Sequence, residues 1–90
     1  MVFFALTRSG YEDIEGLLVQ PSAVLWVNEG VLTESEYEAI WRAGVSISKF
    51  SSRVALERAE IEDALATIQE HHPNTSIWVE SIGGSNEGVA

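Results

Sequence analysis

The sequence predicts a small α/β domain of two or three layers around a four-stranded, mainly parallel sheet, and three observations predict it. Four strand-like runs alternate with three stretches of helical periodicity, in the order β-α-β-α-β-α-β that crossover helices impose on parallel strands. The first two runs, residues 2–6 and 23–27, are apolar at every position, as strands covered on both faces are. The last two, residues 45–50 and 76–80, mix apolar with polar positions and read as edges. This contrast favours strand order 3-2-1-4 over a flavodoxin-like order with the third strand inside.

Each element has its own signal. Thr7-Arg8-Ser9-Gly10 breaks the first strand, and Tyr11, Ile14, Leu17 and Leu18 then recur at helical spacing with Ser9 as the expected N-cap. Pro21-Ser22 stops that helix. After the second strand and Asn28-Glu29-Gly30, Thr33 followed by Glu36 forms a capping box, and Leu32 can staple to Tyr37. The helix that follows is expected to bury Tyr37, Ile40 and Trp41 and to end at Gly44, where a left-handed residue is wanted. The third strand alternates, Val45, Ile47 and Lys49 on one face and two serines on the other. The third helix, entered through Ser51-Ser52-Arg53, has Ile61, Ala64, Leu65 and Ile68 as its buried stripe. His71-His72-Pro73-Asn74 turns the chain into the last strand. Residues 1–82 form one domain in this reading, and the glycine-rich residues 83–90 a flexible tail.

Composition excludes several functions. With 5 basic and 14 acidic residues the formal charge is −9, a field that repels nucleic-acid phosphates and anionic membranes and favours a basic protein partner. The absence of cysteine removes disulfides, thiolate chemistry and cysteine-held metal. No run approaches the roughly 20 apolar residues of a membrane span, and the apolar amino terminus lacks the basic flank of a signal segment. A cytoplasmic protein is expected. The glycine fingerprints of dinucleotide and P-loop sites are missing. His71 and His72 are adjacent, so they project about 100° apart on a helix and lack the i, i+4 spacing of a shared metal. They also belong at the amino ends of the strands, away from any nucleophile at the carboxyl ends. Paired acids such as Glu60 with Asp63 or Glu34 with Glu38 lie opposite the apolar stripes, where nothing tunes them for acid–base work. No catalytic residue, metal ligand or cofactor is assigned.

Ligands of open α/β sheets bind outside the carboxyl ends of the strands. Those ends carry Arg8, Ser9, Asn28, Glu29 and Arg53, which together are the candidate ligand site, suited to a small anion or nucleotide-type ligand held by the arginines and by amides at Ser9-Gly10. Turn chemistry alone accounts for the same residues, and Glu29 opposes an anion. Handedness places the first two helices on one sheet face and the third alone on the other, which leaves an apolar patch expected to bury itself in a homodimer. A small non-enzymatic, homodimeric interaction or regulatory module is the leading expectation, with another protein as a further partner. Trp26 and Trp78 could serve either the core or an interface.

Overall fold

Four parallel strands in the order β3-β2-β1-β4 organise the computed structural model, which describes residues 1–20 and 22–81. They are β1 (Val2–Ala5), β2 (Val24–Val27), β3 (Ser46–Lys49) and β4 (Ile77–Val79). The helices are α1 (Arg8–Ile14), which tightens into a 3-10 segment over Glu15–Val19, α2 (Glu34–Arg42) and α3 (Arg58–His71). The tail expected over residues 83–90 lies outside the described residues. Among the described residues no helix is long and apolar enough to cross a membrane.

Strand periodicity divides the core into two layers. Phe3, Ala5, Leu25, Val27 and Ile47 face α1 and α2, while Val2, Phe4 and Trp26 face α3. The two central strands are buried at nearly every position because both faces are covered. The bare patch expected on the α3 face does not exist: Val2 and Phe4 are fully buried, and Trp26 is only 7% exposed. The reason lies in the connection after β3. Phe50 does not prolong the strand but packs its ring 5.5 Å from that of Phe4 and 5.2 Å from that of Trp26, and Val54 is buried beside them. The helix itself starts only at Arg58, so residues 50–57 and the stripe Ile61, Ala64, Leu65 and Ile68 close the face together.

Three helix details also differ from expectation. Thr7, not Ser9, is the N-cap of α1, its hydroxyl accepting from the Gly10 amide at 3.2 Å. The helix therefore starts earlier, and its change to 3-10 pitch turns Leu18 inward while leaving Leu17 44% exposed. In α2 the capping box is present in both directions, and Tyr37 and Ile40 pack on the core. Trp41, however, is 63% exposed. The helix lies over β3, the last strand on that side, so a residue turned outward past Tyr37 has no further strand to meet. Gly44 has the expected positive φ of 94° and ends the helix.

The capping box is separable from core packing. Thr33→Ala is expected to lower stability by about 1 kcal/mol, read as a shift in urea midpoint at unchanged slope; no shift would mean that packing alone sets the start of α2.

Candidate functional site

Asn28 follows β2 directly and is 2% exposed. Its side-chain amide donates to the carbonyls of Leu6 at 3.2 Å and Val54 at 2.9 Å. Its oxygen accepts from the amides of Val54 and Glu29, both at 2.8 Å. Four hydrogen bonds use the capacity of a primary amide, so no atom of Asn28 remains for a ligand. The side chain joins the end of β1, the end of β2 and the 50–57 connection. Gly30, at φ 88°, then reverses the chain, as only glycine does without strain.

Arg8 is engaged to a similar degree. Its guanidinium makes a two-pronged contact with Glu36 at 2.7 and 2.8 Å, donates to Glu12 at 3.2 Å and to the Val31 carbonyl at 3.3 Å, and lies over the Tyr11 ring. The Glu36 carboxylate also accepts from the Thr33 amide at 2.9 Å, so one side chain closes the cap of α2 and ties α2 to α1. Hydrogen bonding from Arg8, then from the Thr33 amide, lowers the Glu36 carboxyl from the ordinary 4.5 to about 2. The same contact with Glu36 raises Arg8 above the usual guanidinium value.

Just ahead of the Ser9-Gly10 amides, where an anion was expected, the chain supplies a carboxylate of its own, and the Gly10 amide itself donates to the Thr7 hydroxyl. One carboxylate oxygen of Glu80, just past β4, accepts from the amides of Leu6 and Thr7, each at 2.8 Å, and the other accepts from the Thr7 hydroxyl. Gly10 makes this approach possible: a Cβ at that position would stand 2.1 Å from the Glu80 carboxyl carbon. Ser9 and Glu29 are exposed. Arg53 is exposed beside Gly30 and, with Ser51 and Ser52, lines a shallow groove whose other wall carries Glu60 and Asp63. Arg8 and Arg53 therefore share an edge of the sheet but not a partner, Arg8 facing the acids of α1 and α2 and Arg53 those of α3.

The histidines pack on Trp26. Its indole N–H donates to Nε2 of His72 at 3.1 Å, which requires the His72 proton on Nδ1, while the His71 ring lies 5.4 Å away and its Nδ1 donates to the Thr67 carbonyl. Trp26 is thus a core residue with a satisfied polar tip, and Trp78 packs against Phe3 with centroids 6.3 Å apart. Among the described residues no three His, Asp or Glu side chains gather as a metal site would need.

Two further grooves flank α2. On its outer side Glu34, Tyr37, Glu38 and Trp41 line a groove with Lys49 of β3. On its other side a more apolar groove runs between α2 and the 3-10 segment, lined by Tyr11, Leu18, Val19, Ile40 and Val45. Sequence reasoning missed the role of Glu80, which lies 74 positions from Leu6 along the chain, and the exposure of Trp41, whose spacing suits a buried stripe.

Two measurements check this assignment. Asn28→Ala leaves the Leu6 carbonyl and both Val54 backbone groups without their partner, at a cost expected to total about 3 kcal/mol; a loss below about 1 kcal/mol would mean that the clasp is not structural. Because the Glu36 carboxyl is depressed in the fold, its contribution is complete above 4.5 and fades as pH falls toward 2. The gap in urea midpoint between the native chain and Glu36→Gln should therefore be widest near neutrality, narrow on acidification, and shrink with added salt.

No family model, curated protein or solved structure matches this chain.

Proposed function

We propose that this protein is a small non-enzymatic interaction module that meets a protein partner through α2 and the adjoining edge of the sheet. The observation that supports this most is Trp41, a large aromatic side chain left 63% exposed on a helix that is capped at both ends and tied to α1. Exposed tryptophan contributes little to folding, whereas it is among the residues most enriched where proteins bind one another. A cytoplasmic setting belongs to the same proposal and rests on the cysteine-free sequence. The homodimer expected from the sequence loses its original ground, since the sheet face that was to be buried is already covered by residues 50–57 and α3.

The second reading, an anion or nucleotide-type ligand at the strand ends, keeps one observation in its favour. Arg53 makes no ion pair among the described residues and stands beside two serines. Against it, Asn28, Arg8 and the Leu6 and Thr7 amides are all occupied by the protein's own groups.

Trp41→Ser should change stability by no more than about 0.5 kcal/mol, as an exposed position does. A loss several times larger would make Trp41 a packing residue and remove the support for the module. In amide NMR spectra, addition of phosphate, nucleotides and small carboxylates should leave Arg8, Asn28, Ser52 and Glu80 unmoved, and a joint shift of these amides would favour the ligand reading instead.

A further inference from the structure

The outer side of α2 has a chemistry that selects among partners. Glu34, Tyr37, Glu38 and Trp41 stand at i, i+3, i+4 and i+7, one continuous stripe of alternating acid and aromatic groups. The stripe already holds a cation of its own: the Lys49 ammonium lies 5.3 Å from the centre of the Tyr37 ring. The neighbouring Arg42 makes only a 3.5 Å contact with Glu38, both side chains being mostly exposed, so that pair yields readily to a better one.

From this we infer that α2 is the docking surface for a basic segment of another protein, an arginine of which lies on the Trp41 indole and pairs with Glu34 and Glu38. The inference rests on the module reading above and names its partner's chemistry. A guanidinium fits because it stacks on an aromatic plane while its fork meets carboxylates. The charge of −9 draws such a segment in and argues against a second copy of this chain, which would set Glu34 and Glu38 against their own kind. Docking is through side chains rather than by strand addition. The pairing of Phe50 with Val27 turns the Ile47 carbonyl toward the open edge of β3, where the Tyr37 hydroxyl donates to it at 3.2 Å, and Lys49 guards the same edge.

The test uses the whole 90-residue protein and a synthetic heptapeptide alternating leucine and arginine, with a matched peptide carrying glutamine for arginine. The arginine peptide should shift the Trp41 indole N–H and the α2 amides saturably in NMR spectra. Binding should weaken about 5-fold or more with the glutamine peptide or in the Glu34→Gln/Glu38→Gln variant, and the shifts should vanish in Trp41→Ser. Equal response to both peptides overturns the cationic partner but leaves a docking face on α2. Concentration-dependent shifts of the same amides without peptide, with a dimer in sedimentation, overturn it in favour of a second copy. Shifts spread equally over Glu60, Glu62 and Asp63 of α3 mark unspecific charge attraction and overturn it as well. If nothing moves α2, neither peptide nor protein concentration, the inference and the module reading both fall.

Discussion

The buried amide of Asn28 is the constraint on which the rest of this fold depends. A single helix does not cover four strands, and α3 has help only because residues 50–57 fold back over the sheet and bring Phe50 and Val54 against Phe4 and Trp26. That connection has no regular structure, so its backbone groups need partners that neither a helix nor a sheet supplies. Asn28 provides them for Val54 on both its N–H and its C=O, and in the same stroke satisfies the last carbonyl region of β1 at Leu6. The apolar layer under α3 closes because one polar side chain is buried beneath its edge.

The same economy governs the charged groups. The chain has few cations, and Arg8 and Lys49 both serve internal purposes, the first joining α1 to α2 through Glu36 and the second lying across Tyr37. Glu80 turns a carboxylate inward to the Leu6 and Thr7 amides, where in many open sheets an external anion would be held. At the carboxyl edge of the sheet Asn28, Arg8 and Glu80 thus hold the fold together, while Arg53 stays exposed. Satisfied donors in a part-buried setting do not exchange for a ligand without leaving their former partners unpaired, which is costly. The outer face of α2, by contrast, keeps a large aromatic side chain, Trp41, open to solvent.

Several features were legible from local pattern. The strand order followed from the difference between fully apolar and alternating runs, because burial on two faces leaves no room for polar positions in β1 and β2. The capping box of Thr33 and Glu36, the left-handed Gly44 and the stripe of α3 were equally plain, since each is a contact between residues close in the chain. The candidate residues Arg8, Ser9, Asn28, Glu29 and Arg53 do stand around the carboxyl edge, but what each touches was not readable. Arg8 meets Glu36 and Asn28 meets Val54, 28 and 26 positions away, and the Leu6 amide beside them is held by Glu80, 74 positions away.

By itself, then, the sequence determined the α/β class, the order of the strands, the ends of α2 and the acidic field around the molecule, all consequences of composition and short-range periodicity. Only the tertiary structure decided that Phe50 leaves its strand to cover Trp26, that Trp41 faces outward, that Asn28 is a clasp and that Glu80 holds the Leu6 and Thr7 amides. The physical reason is the same in each case. Whether an apolar ring is buried or a polar group satisfied depends on what lies opposite it in space, and hydrophobic periodicity records only which side of its own element a residue is on.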